Sequence, residues 1–448
     1  MRISTNQIYD SGAFAISRGQ SDLYKLQNQL SSGRRILSPA DDPVASARAL
    51  VLMQSQQVNE QYGENQGNAT SQLGLVDSQL TSLTDLLQNV RERSVQAGNT
   101  ILSNTDRQAI ATELEARLGE LMGIANSQNG AGDYLFSGYE GATKPFALSN
   151  PAVPPATTLA ANYSGDDGQR LLQVSASRQM AVNVAGSDLF MNAKSGNGTF
   201  VTATSGNAGS INQGTATIDA GSVVDPQKWL AAVNNVAIWA APGSPALQIQ
   251  FTVPGAASPY DYQLLDVSGV PGGGAAVPLT PAAAFTPGQA ISLQSTNPPA
   301  ASVTDFGAQV VVEGVPANGD TFSIKPSSNQ SLFQTVQNMI GILKQPVGST
   351  TYSNTEFTNA LGAQMTNLDQ ALTNVGRVQA TVGANMRELD ALGSNASALD
   401  IQYQSTLSDL QDLDYAKAIT DFTKQQMSLE AAQKSFVKIS GLSLFNYL

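Results

Sequence analysis

Of 448 residues, 23 are basic and 35 acidic, a net charge of −12, and the chain has neither cysteine nor histidine. The charge disfavours nucleic acid, whose phosphates need a basic face, and the missing side chains exclude disulfides, thiolate metal sites, cysteine nucleophiles and any Ser-His-Asp triad. Charged residues are 13%, against ~25% in ordinary soluble domains, so the polar surface has to come from Asn, Gln, Ser and Thr, and the length allows two to four domains.

The start, Met1-Arg2-Ile3-Ser4-Thr5-Asn6, is followed by no apolar signal-peptide core, which predicts a soluble chain without a cleaved signal. Ile16, Leu23, Leu30 and Leu37 then recur every seven residues, with Leu26 between them. Asp41-Asp42-Pro43 reads as a helix start, with Asp42 as N-cap and Pro43 in the first position. Leu73, Leu80 and Leu87 form one heptad row and Val76, Leu83 and Val90 another, the pattern of a coiled-coil seam. Thr105 to Gln108 fits a capping box. The helix it opens carries Ile110, Leu114, Leu118 and Leu121 on one face, and Asn129-Gly130 is its expected stop.

Seventeen of the 20 prolines fall between 141 and 330, with just 16 charged side chains. Proline breaks helix interiors, so this block is expected to be mainly β. Its β-rich runs at 171–174, 247–253 and 310–312 lie between turns, and 226–241 reads as one short helix carrying Trp229. Gly165-Asp166-Asp167-Gly168 lacks the spaced ligands of a calcium loop and reads as a tight turn. Gly272-Gly273-Gly274 lacks the Gly-Lys-Ser/Thr of a phosphate loop. The uncharged stretches 229–260 and 267–304 are too broken by Pro and Gly to cross a membrane.

Leu361, Leu368, Val375, Val382 and Leu389 again recur every seven residues, beside Met365, Leu372 and Met386. Leu392, Leu399, Tyr415, Phe422, Leu429 and Phe436 continue the pattern, and no proline interrupts 347–448. A helix over 355–436 would be on the order of 120 Å long, with Gly393 as a candidate break. Leu442, Leu444, Phe445, Tyr447 and Leu448 leave an apolar tip, which marks an interaction site. The expected fold is α + β and multidomain: a long antiparallel helical, coiled-coil rod built from both chain ends, with an inserted mainly-β domain. The outer segments, 1–40 and 405–448, have narrow stripes and are expected to order only on meeting neighbours. No residue is expected to be catalytic, to bind a cofactor or to hold a metal.

Ser31-Ser32-Gly33-Arg34-Arg35-Ile36 and Ser38-Pro39-Ala40-Asp41-Asp42-Pro43-Val44-Ala45 resemble the N-terminal signature of bacterial flagellins and the hook-associated proteins related to them. Asp133-Tyr134-Leu135-Phe136-Ser137-Gly138, Gly314-Val315-Pro316-Ala317-Asn318-Gly319-Asp320-Thr321-Phe322 and the end from Ser435-Phe436 to Leu448 are similar to hook-associated members. The chain is thereby identified as a member of the flagellin family over 1–190 in pieces and 313–448, whereas no motif within 195–310 carries the resemblance. The resemblance implies a structural subunit at the hook–filament junction, exported without a cleaved signal through the flagellar type III apparatus to the cell exterior. It implies hook-associated protein 1, flagellin and copies of the chain in a ring-like layer as partners, and an export chaperone on the C-terminal helix. It implies no nucleic acid and no membrane insertion. The domains would be 1–40 with 405–448 lining an inner tube, 41–140 with 331–404 as helical rod, and 141–330 facing outward. Ile16, Leu23, Leu30, Phe422, Leu429, Phe436, Phe445 and Leu448 would then lie at subunit contacts. Filament flagellin itself is the alternative, and an enzyme or adhesin housed in 195–310 is a rival of another class.

Overall fold

The computed structural model describes residues 5–149, 160–206, 211–235, 239, 246–253, 260–270, 275–296, 304–349 and 352–441. Both ends are helical and the middle is β-rich, an α + β multidomain fold. The chain divides into two compact units.

The first unit comprises 1–68, 173–178 and 388–448. Helix α1 (Thr5–Ser32) pairs with the last helix of the chain, Tyr415–Gly441. Helix α2 (Pro43–Ala97) opens as the sequence predicts: Asp42 Oδ1 accepts the Ala45 N–H at 3.0 Å, and Pro43 is the first helical residue. That bond is the main reason the Asp42 carboxyl titrates below its usual value. The start of α2 lies antiparallel to the end of a helix spanning Asn354–Gln411. Gln56 Nε2 donates to Asp400 at 2.9 Å and Asn59 Nδ2 to the Ala396 carbonyl at 2.8 Å. The tip of a β-hairpin, 173–178, is tied to the same helices. Gln66 Nε2 donates to the Val174 carbonyl at 2.7 Å, and Arg178 pairs with Glu388 at 2.7 Å.

The second unit comprises 69–172 and 179–387. Both predicted rows of α2 are buried here, Leu73, Leu80 and Leu87 with Val76, Leu83 and Val90, as are Leu361, Leu368, Val375 and Val382. Helix α3 (Asn104–Ala125) differs from its predicted limits at both ends. Its capping box is Ser103 with Asp106, two residues upstream: Ser103 Oγ accepts the Asp106 N–H at 3.2 Å, and Asp106 Oδ2 accepts the Ser103 N–H at 3.0 Å. It stops at Ala125 rather than at Asn129-Gly130. Asn126 is the C-cap, and both ends of its side-chain amide bond the backbone of Phe146, at 3.0 and 3.1 Å, which fastens the helix end to the strand of Phe146. Helix α4 (Pro226–Asn234) is capped by Asp225 and ends seven residues before 241. The Trp239 indole N–H turns back to the Ala232 carbonyl at 2.9 Å, which also accepts the N–H of the C-cap residue Asn235 at 3.1 Å.

Around α4 lies the β core. Strand Leu247–Thr252 sits between Asp261–Asp266 and Thr321–Pro326, and the latter pairs with Phe200–Thr204, all antiparallel. Leu247, Ile249 and Phe251 alternate into the core with a period of two. Strands Ala290–Ser295 and Thr304–Glu313 form a second ladder, with a register shift at Leu293/Gln294. The two ladders and α4 bury Phe200, Trp229, Leu264, Phe306, Val310 and Phe322 in one cluster. Helix α5 (Leu332–Lys344) packs on α3.

Helices α6 (Asn354–Gln411) and α7 (Tyr415–Gly441) replace the single helix expected over 355–436. Gly393 lies inside α6. An isolated glycine costs a helix only ~1 kcal/mol, and a Cβ at Gly393 would sit 3.6 Å from Gln66 Oε1. The break falls at 412–414 instead, where Asp414 Oδ1 accepts the Lys417 N–H at 3.1 Å and caps α7.

Candidate subunit interface

At three places along the α1–α7 seam, two in α1 and one just after it, a glycine lies against a large side chain of α7. A Cβ at Gly12 would lie 2.7 Å from the Phe436 ring, one at Gly19 3.2 Å from Leu429 Cδ1, and one at Gly33 2.9 Å from the Tyr415 hydroxyl. As one number rises the other falls by the same amount, so the helices run antiparallel in a fixed register. Tyr9 meets Phe436 edge to face at 5.9 Å. The six predicted contact residues within the helices, Ile16, Leu23, Leu30, Phe422, Leu429 and Phe436, are all half-buried. Phe445 and Leu448 lie outside the described residues. The glycines were missed in the sequence, although Gly12 and Gly19 stand seven apart and shared the spacing of the rows that were found. Large apolar side chains remain exposed on both helices, among them Phe14 at 70%, Tyr24 at 67% and Val437 at 68%.

The signature around Arg34 to Asp42 forms the joint of this pair. The Leu413 N–H donates to the Gly33 carbonyl at 2.9 Å and the Arg35 N–H to the Gln411 carbonyl at 2.7 Å. Arg35 Nη2 adds a bond to the Leu410 carbonyl at 2.7 Å. Gly33 holds φ at 72°, a left-handed conformation that glycine adopts without strain. Asp41 pairs with Lys25 at 2.6 Å and accepts the Ser38 and Leu37 N–H groups. The Lys25 bond, followed by that of Ser38, lowers its pKa from 3.8 to about 2. A lowered carboxylate pKa means that the stabilisation is complete above 3.8 and is lost as pH falls through 2. With the joint formed, carboxyl NMR should place the Asp41 midpoint near 2, and Lys25→Ala should move it up towards the ordinary carboxylate value. An unmoved midpoint would remove Lys25 as the main cause.

In the second unit the other signature segments also have structural roles. Gly138 (φ 73°) packs so closely on Asp166 that no side chain fits. Asp166 Oδ1 accepts the Tyr139 and Gly168 N–H groups at 2.8 and 2.7 Å, which makes 165–168 a tight turn, as the sequence predicts. The Tyr163 hydroxyl donates to the Asp166 carbonyl at 2.6 Å, and burial pushes its pKa up to about 12. Buried Asp320 accepts N–H groups from Gln213, Gly214 and Ala317, each at 2.8 Å, which fixes the 314–322 segment. Helix α6 meets this unit's β region through amides. Asn359 Oδ1 accepts the Ile218 N–H at 2.9 Å and Asn367 Oδ1 the Gly196 N–H at 2.7 Å. Among the described residues no three His, Cys, Asp or Glu are grouped to hold a metal, and no helix is long and apolar enough to cross a membrane.

Residues 3–141 match the bacterial flagellin N-terminal helical region and 365–448 the bacterial flagellin C-terminal helical region. Flagellar hook-associated protein 3 of Escherichia coli is 25% identical over 99% of both chains. The crystal structure of the flagellar junction protein FlgL from Legionella pneumophila is similar with a TM-score of 0.65 and 29% identity, covering 82% of this chain and all of that one. Phase 1 flagellin of Salmonella naestved is 32% identical, but over 28% of this chain and 25% of its own. A helical seam made from both chain ends, with motifs that fix its joint, defines a structural protein of the flagellin family, and the chain belongs to that family. Within it the chain falls in the hook-associated protein 3 branch, the hook–filament junction proteins; its likeness to filament flagellin is distant and partial.

Proposed function

We propose that the chain forms one ring-like layer outside the cell, between hook-associated protein 1 and the first flagellin, after export without a cleaved signal. The α1–α7 seam carries this reading. Its contact residues stay half-buried with large apolar side chains exposed beside them, so the pair has surface left to bury against neighbours. Covering one such side chain contributes ~1.5–3 kcal/mol, and several per subunit offset the ordering of short segments. Residues 1–40 and 405–448 line the inner tube and order during assembly, 41–140 and 331–404 form the stiff helical domain, and 141–330 faces outward. Ile16, Leu23, Leu30, Phe422, Leu429, Phe436, Phe445 and Leu448 are the proposed contacts within and between subunits. Before export a chaperone covers the C-terminal helix.

Electron microscopy of cells lacking the gene tests the junction role. Hooks without filaments, with flagellin lost to the medium, are expected, and normal filaments would overturn it. Circular dichroism tests the ordering. Monomer and a copy lacking 1–40 and 405–448 should give nearly equal helical signal per molecule, and a large loss on truncation would mean that the ends are already folded.

A further inference from the structure

Charge is segregated along the first unit. Helix α7 carries four lysines, 417, 424, 434 and 438, and two carboxylates, 421 and 430. Within the same unit, the parts of α2 and α6 at 43–68 and 388–411 carry one basic residue, Arg48, and six carboxylates. Lys417, Lys424, Ala431 and Lys438 stand seven apart, all exposed, in a row that is not the Phe422/Leu429/Phe436 row turned to α1. Among the described residues the lysines in ion pairs are Lys25, Lys228 and Lys344, none of them on α7.

We propose that this outward lysine row of α7 docks on the acidic surface of α2 and α6 in a second copy of the chain. The inference rests on the reading that copies assemble side by side, and it names the faces that meet. Two copies with a net charge of −12 each repel overall, so attraction requires that unlike patches face one another. A contact of lysine row on lysine row is excluded by the same rule. Pairing two different patches is a heterologous contact, which repeats from copy to copy and closes into a ring when the rotation allows. The lengths agree. The row from Lys417 to Lys438 and the stretch from Asp390 to Asp409 are each about 30 Å long. Asp390 and Asp409 are exposed and make no ion pair among the described residues, and the same holds for Glu60 and Glu64, one turn apart on α2. Asp400, by contrast, is already held by the amides of Gln56 and Gln404.

The test is a charge swap in cells lacking the gene, scored as filaments per cell and as secreted subunit. Lys417→Glu, Lys424→Glu and Lys438→Glu together should cut filament number about tenfold, and so should Glu60→Lys, Glu64→Lys, Asp390→Lys and Asp409→Lys together. Combining the two sets should bring filaments back to within about threefold of wild type, because the attraction is restored with its sign reversed. An unchanged filament number in the lysine variant overturns the proposal, as does a combined variant that is secreted normally yet stays without filaments. Retention of the lysine variant inside the cell would assign the row to an export partner and overturn it equally. Failure of the wild-type gene to restore filaments would instead count against the junction role.

Discussion

Replacing Gly12 with leucine should abolish filament attachment, and adding Phe436→Ala in the same chain should restore much of it. Glycine is needed at position 12 because the Phe436 ring occupies the space where a Cβ would lie, at 2.7 Å. A leucine there must displace the ring or part the helices. Overpacking of this kind costs ~1–3 kcal/mol at a single site. The cost recurs in every subunit of a layer, and each 1.4 kcal/mol is a factor of about ten in an equilibrium constant. Shrinking the opposing ring returns the space, so the double variant separates a steric cause from a general intolerance of change in α1. Thermal unfolding of the second unit should be the same in both variants and wild type, since neither residue belongs to it. If Gly12→Leu assembles normally, or if Phe436→Ala brings no recovery, the glycine-to-large register is not what the seam depends on.

The second large effect is expected in the second unit. Phe333→Ala should lower its unfolding free energy by roughly 3–5 kcal/mol, the range for emptying a fully buried aromatic site. Phe333 has no exposed surface and lies 5.2 Å from the Phe146 ring and 5.8 Å from that of Phe190, which in turn packs on Phe136. Three sequence-distant segments, 136–146, 190 and 333, meet in those rings, and the cavity would loosen all of them. At about 2–4 °C per kcal/mol for a large domain, calorimetry should record a midpoint on the order of 10 °C lower. Leu230→Ala, on the exposed side of α4 at 57%, is the matched control and should leave the midpoint unchanged. Equal midpoints for the two variants would mean that the aromatic cluster does not hold this unit together.

Repetition made the helices legible in the sequence. Rows such as Leu73/Leu80/Leu87 and Leu361/Leu368/Val375 announce a buried stripe at each turn, and every one of those residues is buried. Helix ends were harder, because they depend on partners distant in sequence. The C-cap Asn126 is held by Phe146, and the α6–α7 break is placed by the crossing of Leu413 with Gly33 and by the Asp414 cap. A local reading prefers Asn129-Gly130 and Gly393, since glycine is the local punctuation. The contact seam was half legible. Large apolar residues draw attention, whereas Gly12 and Gly19 contribute by lacking a side chain. The joint was legible as a motif and not as a mechanism, since nothing near Arg35 names Leu410 and Gln411 as its acceptors.

The amides of α6 imply a division of sensitivities. Asn359 and Asn367 fasten their neighbouring backbone through buried, uncharged groups. Such bonds carry no proton to lose and no net charge for ions to shield. The lysine row of α7 and the Lys25–Asp41 pair are ionic and lie at exposed or partly exposed positions. Brine would therefore weaken the proposed lysine-row contact between copies, and acid near pH 2 the Lys25–Asp41 pair within each chain, before either unseated the β region from its helix. An assembly held by the proposed contacts would come apart into intact subunits rather than into denatured chain.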